Sequence, residues 1–424
     1  MAKKLKVGDV IRGYRITRVF GPGMMAISYA ARAPAGGLVF FKQYKSPAPT
    51  VVWYDSFVAY QRELASRVKT GAAARFAVAQ LDAFEEVWGG PCYFQAFEFV
   101  ENGADLQKIL DGEAEDHRRS KVAPTQDPTI WSRHITWAKV FMAAIEALHK
   151  SRIAHADLKP ANVYLIKDPT IKAGYQLKLI DMDFSLLTDH RAPWHGYQGY
   201  IGSDNYRSPE HLKRGQVPDL RSDIFTCGLI LSELLIGIHP YWSDDQTLYA
   251  KRVLNYEAKP LPLAGRMIAP AENSQVSLIL HRCLSPDPDH RPTAAELRAV
   301  LGGTVPATTA ITSGSSARAA ILAKSLELQT TDGRSLTIGV RTELTRSLLE
   351  KLGSDAHFWD QRQCVLDRNF DGQWVLVPIA RTVNETLVNG ATVTAPILLR
   401  DGDTIAVGRS AKGIVKMPLV VRGR

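Results

Sequence analysis

The chain has 424 residues, of which 45% are hydrophobic and 22% are charged, and its formal net charge is +9. This composition is that of an ordinary globular protein with room for two or three domains. Because the basic residues do not form one long run, we expect no nucleic-acid partner.

Cysteine content and hydropathy indicate the compartment. Four cysteines lack metal-ligand spacing, which predicts reduced and mostly buried thiols: Cys92, Cys227, Cys283 and Cys364. The basic start of the chain is not followed by an apolar core, so we expect no signal peptide. The longest apolar stretch, 224–238, contains Ser232 and Glu233 and predicts a buried helix. We therefore expect a cytoplasmic protein without a membrane partner.

Strands and helices are predicted through the first 302 residues, in chain order. Residues 10–45 alternate in polarity and carry glycines, which predicts strands joined by tight turns. Periodicity then predicts a helix at 56–69, a strand at 92–100, and helices at 131–150, 222–237 and within 274–301.

The chain changes character after residue 302. Residues 303–324 are rich in Thr, Ser, Ala and Gly and show little periodicity, which predicts a flexible linker. Residues 325–420 are short alternating runs divided by Asp-Gly and Asn-Gly turns, typical of a small all-β sandwich. The predicted fold class is α+β with a separate β domain.

Two features near the start suit phosphate binding. Gly21 and Gly23, followed by Ala26, lie between strand-like runs, where glycines let backbone amides approach phosphates. A plain hairpin would also explain them. Lys42 ends an apolar strand and needs a partner if it is buried, and Glu63 on the next helix is the candidate. A solvated strand end is the alternative for Lys42.

The run His-Ala-Asp-Leu-Lys-Pro-Ala-Asn at 155–162 carries the groups that phosphoryl transfer needs. That reaction uses a carboxylate to accept a hydroxyl proton and an amide oxygen to hold magnesium. Asp157 and Asn162 supply these groups. Lys159, between them, is placed to stabilise the transferring phosphoryl group.

This loop resembles H-R-D-x-K-P-x-N, the catalytic loop of the eukaryotic-type serine/threonine protein kinases, which also occur in bacteria. Further segments resemble that family's motifs in the right order, namely the glycine loop, the strand ending at Lys42, the hinge strand, and 202–210, 222–228 and 283–293. The resemblance implies a two-lobed catalytic domain over residues 10–302 that uses ATP and magnesium.

The resemblance also implies roles for the residues around the nucleotide. Asp157 would be the catalytic base, and Lys42, paired with Glu63, would clamp the phosphates. Glu98 and Phe99 would begin the hinge that reads the adenine edge. The phosphates would be covered by the loop that contains Gly21, Gly23 and Ala26.

Asn162 would share the metal with one of two aspartates. The strand 177–180 runs into Asp181-Met182-Asp183-Phe184-Ser185, where the family has D-F-G. Aligning the strand makes Asp181 the ligand, whereas aligning Asp183-Phe184 makes Asp183 the ligand. Both lie on the same face of an extended chain, so alternation leaves both open, and the fit of the strand favours Asp181.

Ala156 departs from the family pattern. It replaces the arginine that binds an activation-loop phosphate in many kinases. We therefore expect activity that does not depend on that phosphorylation.

Residues 325–420 resemble a forkhead-associated (FHA) domain, most specifically in N-x-T-x-V-N-G at 384–390 and L-x-x-D-G-D-x-I at 398–405. The family binds phosphothreonine through an arginine after a glycine and through an S-x-x-H serine. Here Val340 follows the glycine and Arg341 is one place late. Ser354 begins an S-x-x-H run, but spacing favours Asp360 at that place, where its charge would repel phosphate. Phosphothreonine and an unmodified protein both remain open as partners.

The function implied is transfer of the ATP γ-phosphate to a protein hydroxyl, with the FHA-like module recruiting partners in signal transduction. A pseudokinase or scaffold without catalysis is the alternative. The pairing of a kinase with an FHA-like domain also implies a protein phosphatase partner.

Overall fold

The computed structural model describes residues 3–23, 25–120, 128–171, 173–258, 270–303, 321–368, 372–379, 382–394 and 396–424. The chain forms two compact units, one of Met1–Gly112 with Val140–Asp223 and one of Glu113–Lys139 with Ile224–Arg424. Most of the predicted linker 303–324 lies outside the described residues.

A six-stranded antiparallel sheet opens the first unit. Its strands in spatial order are β1-β2-β3-β4-β6-β5. Their bounds are β1 Val10–Ile11, β2 Tyr14–Pro22, β3 Ala26–Arg32, β4 Leu38–Tyr44, β5 Gln80–Val87 and β6 Pro91–Glu98. Stacked rings of Tyr14, Phe41, Phe84 and Phe94 fill the core on one side. The strands predicted within 10–45 and at 92–100 are confirmed.

Helix α1, Tyr54–Thr70, confirms the helix predicted at 56–69. It buries Phe57, Tyr60 and Leu64, which recur at helical spacing on one face. Asp55 lies in its first turn and Arg67 in its last turn, and both signs are favourable for the helix dipole.

Short strands carry the loops of the first unit. β7 Gly103–Asp105, β9 Val163–Lys167 and β10 Tyr175–Leu179 form one small sheet, and β8 Ile153–Ala154 pairs with β11 Leu186–Leu187. The register Leu179↔Val163 and Leu186↔Ala154 sets the ends of these strands side by side. Residues 155–162 and 180–185, which connect them, are thereby brought to one place.

The remaining helices are α2 Leu106–Ser120, α3 Pro128–Lys150, α4 Pro209–Leu212, α5 Leu220–Ile236, α6 Gln246–Leu254, α7 Pro270–Cys283 and α8 Ala294–Leu301. Of these, α3, α5, α7 and α8 correspond to predicted helices, with α3 beginning three residues and α7 four residues earlier than expected. The sequence analysis did not predict α2, α4 and α6. A capping box between Thr293 and Glu296 fixes the start of α8. In the described part of the chain, no helix has both the length and the apolar character needed to cross a bilayer.

The C-terminal part of the second unit is a sandwich of two antiparallel sheets, ordered β13-β12-β21-β20-β17-β18 and β14-β15-β16-β19. The strands are β12 Leu326–Thr330, β13 Ser335–Ile338, β14 Thr342–Leu344, β15 Cys364–Arg368, β16 Trp374–Pro378, β17 Glu385–Val388, β18 Ala391–Thr392, β19 Ile397–Leu398, β20 Thr404–Arg409 and β21 Ile414–Gly423. A short helix, α9 Arg346–Leu349, and 3-10 turns follow β14.

The sandwich extends beyond the predicted bounds of 325–420. Ile321 is buried in its core, where its backbone N–H donates to the carbonyl oxygen of Leu399 and its carbonyl oxygen accepts from the N–H of Trp374. At the other end β21 runs to Gly423. The composition of the segment before residue 325 hid this first contact, because one apolar residue gives no periodic signal.

The four cysteines are buried and free, as expected of mostly buried thiols. Tight packing in the sandwich also explains one glycine. A Cβ on Gly408 would lie 1.9 Å from the carbonyl oxygen of Ile414, so the backbones of β20 and β21 approach too closely for any side chain.

Candidate active site

A cavity of about 1070 Å³ lies within the first unit. Its wall is formed by residues of β2, β3, β4, α1 and β6 on one side and by Asn162 and residues 180–183 on the other. This size suits a ligand somewhat larger than a typical small molecule. The cavity is the natural place to look for each predicted site residue.

Lys42 projects from β4 into this cavity and is only 5% exposed. Its Nζ donates to Asp181 Oδ1 at 2.6 Å and to Asp183 Oδ2 at 2.7 Å. Burial by itself would lower the pKa of Lys42, but the two carboxylates outweigh it and hold the pKa above its usual value. The alternative of a solvated strand end is wrong.

The predicted pairing of Lys42 with Glu63 is not formed. Glu63 accepts a hydrogen bond from Arg67 Nε at 2.8 Å instead, and 47% of its side chain is exposed. The reason is the phase of α1. Gln61 is 3% exposed and lies on the buried face, and Glu63, two residues later, is turned about 200° around the helix from it.

Gln61 is a site residue that the sequence interpretation missed. Its Nε2 donates to the carbonyl oxygen of Asp183 at 2.6 Å, and its Oε1 accepts from Gln95 Nε2 at 3.3 Å. Tyr44 OH donates to Gln95 Oε1 at 2.6 Å. A glutamine within the apolar row of α1 was the available signal, because a buried amide needs partners.

The two candidate metal ligands differ in exposure. Both line the cavity, but the Asp181 side chain is 45% exposed and that of Asp183 is 9% exposed. The Lys42 charge lowers the pKa of Asp181 against the effect of burial. Burial raises the pKa of Asp183, with the Lys42 charge opposing it. Asp181 therefore has the more accessible carboxylate.

Asn162 lies next to Asp181 through the backbone, since Ile180 N donates to the carbonyl oxygen of Asn162 at 3.1 Å. The Asn162 Nδ2 donates to the carbonyl oxygen of Asp157 at 2.8 Å. This contact turns the amide so that its Oδ1 is left for another partner. Asn162 and Asp181 both line the cavity.

The side chain of Asp223 holds the backbone of the loop that carries Asp157. The Asp223 carboxylate accepts from the backbone N–H of His155 at 2.8 Å and from that of Ala156 at 2.9 Å. Ala156 has φ of 63°, a left-handed conformation that a residue with a Cβ adopts only where surrounding contacts hold it. The carboxylate of Asp223 supplies such contacts.

Asp157 and Lys159 meet at Ser203. The backbone N–H and the hydroxyl of Ser203 donate to Asp157 Oδ1 at 2.7 and 2.8 Å, and Lys159 Nζ donates to Ser203 Oγ at 2.9 Å. One hydroxyl thus orients both the carboxylate and the ammonium group. The kinase resemblance places Ser203 near the catalytic aspartate, and the structure adds its contact with Lys159.

The glycine turn is bordered by Phe20 and Ser28, which line the cavity. Gly21 has φ of 121°, and Gly23 N donates to the carbonyl oxygen of Ala26 at 2.8 Å, which closes the turn. Glu98 and Phe99 line the cavity, and Glu98 Oε1 lies 2.7 Å from Lys178 Nζ. The rings of Phe20, Phe40 and Phe99 stack, with centroids 5.7 and 6.5 Å apart, to form an apolar wall.

These features fit a nucleotide with a magnesium ion. The aromatic wall offers a surface for a base, Lys42 offers a cation for phosphates, and Asp181 with the oxygen of Asn162 offers the hard ligands that magnesium prefers. The donor set is carboxylate and amide, as the chemistry of that ion requires.

An α+β fold with a nucleotide-sized cavity, a buried lysine, and an aspartate close in sequence to a lysine and an asparagine is the arrangement of the protein kinase class. Residues 78–300 match the protein kinase domain, which is more than half of the chain, and the chain belongs to that family. Residues 354–408 match the FHA domain, so an FHA domain follows the kinase domain.

The chain is similar to curated bacterial kinases. It is 30% identical over 145 residues to serine/threonine-protein kinase A of Synechocystis sp., covering 34% of this chain and 26% of that protein. It is 31% identical over 206 residues to serine/threonine-protein kinase pkn3 of Myxococcus xanthus, covering 48% and 34%. The chain thus spans about a quarter to a third of the curated relatives it matches.

The phosphothreonine-binding positions expected of the FHA domain have other partners. Asp360 accepts from the backbone N–H of Val383, and Asn384 Nδ2 donates to the carbonyl oxygen of Phe358 at 2.7 Å. Ser354 lies in a 3-10 turn and its carbonyl contacts His357 Nδ1 at 2.7 Å. Asp360 therefore lies beside the loop before β17.

Arg341 points to residues of the same unit. Its Nη2 donates to the carbonyl oxygen of Asn255 at 2.9 Å, its Nε lies 3.3 Å from Asp367 Oδ2, and its guanidinium is 6.0 Å from the ring centroid of Tyr256. An arginine held by an ion pair, a carbonyl and a ring has fewer donors left for phosphate.

Proposed function

We propose that the chain is a serine/threonine protein kinase that transfers the γ-phosphate of ATP to a protein hydroxyl. The arrangement of Asp157, Ser203 and Lys159 is the observation that supports this most strongly. A carboxylate and an ammonium group are oriented by one hydroxyl, beside an asparagine and a lysine that face the same cavity.

In the proposed reaction, the acceptor hydroxyl oxygen forms a bond to the γ-phosphorus while the bond from that phosphorus to the β-phosphate oxygen breaks. The acceptor proton passes to the Asp157 carboxylate, and ADP leaves. Lys159 balances charge on the transferring group, and Lys42 holds the remaining phosphates. Magnesium, held by Asn162 and Asp181, would neutralise phosphate charge.

The test is transfer of labelled γ-phosphate from ATP by the purified full chain, to itself and to a basic model protein. Wild type should transfer phosphate to serine or threonine, and Asp157→Asn and Lys42→Met should abolish transfer while still folding. A wild type that binds nucleotide but transfers nothing would overturn this proposal in favour of the scaffold alternative.

For the FHA domain we propose recruitment of a protein partner without a requirement for phosphothreonine. The support is the carboxylate of Asp360 at the predicted phosphate position and the engagement of Arg341 by Asp367. Titration of the full chain with matched phosphothreonine and threonine peptide libraries should show no gain in affinity from the phosphate. A gain of tenfold or more would contradict it. The phosphatase partner and the cytoplasmic location stay predictions.

A further inference from the structure

The kinase resemblance does not account for the carboxylates that hold Lys42. We call the carboxylate that keeps the Lys42 ammonium group in place its anchor. A buried ammonium group is costly unless it is paired, and Lys42 has two carboxylates within hydrogen-bonding distance. Both belong to the segment 181–183. The question is which of them holds the lysine once the other binds a metal.

Helix α1 offers no carboxylate for this purpose. Its acidic residues are Asp55 and Glu63, and both are exposed. Glu63 is paired with Arg67, which also donates to Asp189 Oδ1 at 2.7 Å. The inward position is taken by Gln61, a neutral amide that contacts the backbone of Asp183 and not an ion.

Asp183 is held in place from several sides. Its carbonyl oxygen accepts from Gln61, and its neighbour Phe184 packs against Phe57 and Trp194 with ring centroids 5.9 and 5.1 Å away. Its side chain is enclosed. A carboxylate fixed in this way can orient an ammonium group without itself moving.

Asp181, by contrast, has an exposed carboxylate beside Asn162. Its position suits a carboxylate that can release Lys42 and bind a metal ion instead. We propose that Asp183 is the anchor of Lys42 in place of a helix glutamate, and that Asp181 is thereby free to hold magnesium. This rests on the proposed function, since the metal and the nucleotide are those of the kinase reaction. Asp183 is then a positioning residue, acting through Lys42.

The arrangement makes a specific prediction about magnesium. If Asp183 is replaced by Asn, the remaining carboxylate partner of Lys42 among its observed contacts is Asp181, so the lysine and the ion compete for one group. The variant should need a higher magnesium concentration than wild type to reach the same nucleotide binding. A residue with only a structural role would change stability without changing this requirement.

The experiment measures binding of fluorescent ADP to the full chain across a magnesium titration, together with kcat and KM for ATP. Asp183→Asn should raise the magnesium concentration at half-maximal binding at least tenfold, lower kcat at low magnesium, and recover at high magnesium. Gln61→Ala, which removes the hydrogen bond to the Asp183 carbonyl together with the one from Gln95, should shift the requirement in the same direction by a smaller amount.

Two matched variants complete the design. Asp55→Asn, the same change on the exposed face of α1, should leave the magnesium requirement within twofold of wild type. Glu63→Gln should also do so. A Glu63→Gln shift as large as that of Asp183→Asn, or an Asp183→Asn variant with the wild-type requirement, overturns the proposal.

The binding readout separates this inference from the proposed function. A wild type that binds ADP with magnesium but transfers no phosphate overturns catalysis, and the Asp183→Asn shift still supports the anchor. A wild type that shows no magnesium-dependent binding overturns both.

Discussion

Replacing Ser203 by Ala removes the hydroxyl that joins Asp157 to Lys159. The backbone N–H of Ser203 still donates to the carboxylate at 2.7 Å, so Asp157 keeps one of its two bonds from this residue. The substitution removes one hydrogen bond to the charged carboxylate of Asp157 and the hydroxyl oxygen that accepts from Lys159 Nζ. The change therefore acts on orientation and leaves the charges in place.

The magnitude follows from these contacts. A hydrogen bond to a charged group contributes about 1.5–3 kcal/mol, and each 1.4 kcal/mol of transition-state stabilisation is tenfold in rate. We therefore expect Ser203→Ala to lower kcat by about 10- to 100-fold. The KM for ATP should stay within threefold, because Lys42 and the cavity wall are untouched.

The assay is steady-state phosphate transfer at saturating magnesium, with nucleotide affinity measured separately to show that the fold is intact. Ser203→Thr is the matched control, since it keeps the hydroxyl and should retain most of the rate. A Ser203→Ala enzyme within threefold of wild type, or a Ser203→Thr enzyme as slow as Ser203→Ala, would refute the reasoning.

Three further predictions test other parts of the molecule. Because Ala156 supplies no phosphate-binding arginine, phosphatase treatment should leave the rate within threefold, and a tenfold loss would count against this. Gly408→Ala should strongly lower the unfolding temperature of the sandwich in a thermal scan of the full chain, because its Cβ would meet the carbonyl of Ile414. Gly339→Ala is the control and should unfold at the wild-type temperature, because the space around Gly339 is open. Burial raises the pKa of Asp367 from 3.8 to about 6, so the folded wild type loses stability as this carboxyl ionises between about pH 5 and pH 7. Asp367→Asn has no such group, and its unfolding free energy relative to that of wild type should therefore rise by about 1 kcal/mol over this range. A difference that stays constant with pH would contradict this.

The catalytic loop was predictable because its chemistry is local. Asp157, Lys159 and Asn162 lie within six residues, and the turn they form brings them together wherever the loop is placed. Asp223, which fixes that loop, lies far along the chain, and the sequence marked it only as the start of a helix. The bridge at Ser203 likewise needed the structure, because it depends on how the segment 202–210 folds back.

The partner of Lys42 was predicted wrongly for a reason that lies in helix geometry. The apolar residues of α1 place Gln61 on the buried face and Glu63 about 200° around the helix from it. The prediction looked for a charged partner of Lys42 on this helix and therefore chose the glutamate over the amide. The two aspartates were left open for a related reason. Alternation assumes an extended chain, and Asp181 has φ of 62°, so the strand rule does not apply there.

Hydrogen bonds of Gln61, Tyr60 and Arg67 join helix α1 to the segment that begins at Asp183. Gln61 donates to the Asp183 carbonyl, Tyr60 OH accepts from Leu187 N at 2.7 Å, and Arg67 donates to Asp189 Oδ1 at 2.7 Å. None of these contacts includes Lys42. A movement of the helix that breaks them removes the support that Gln61 gives to the backbone of Asp183. It removes no charged partner of Lys42, because both observed partners, Asp181 and Asp183, lie outside the helix. The alignment of Lys42 in this chain therefore depends on the position of the segment and not on a charge carried by the helix.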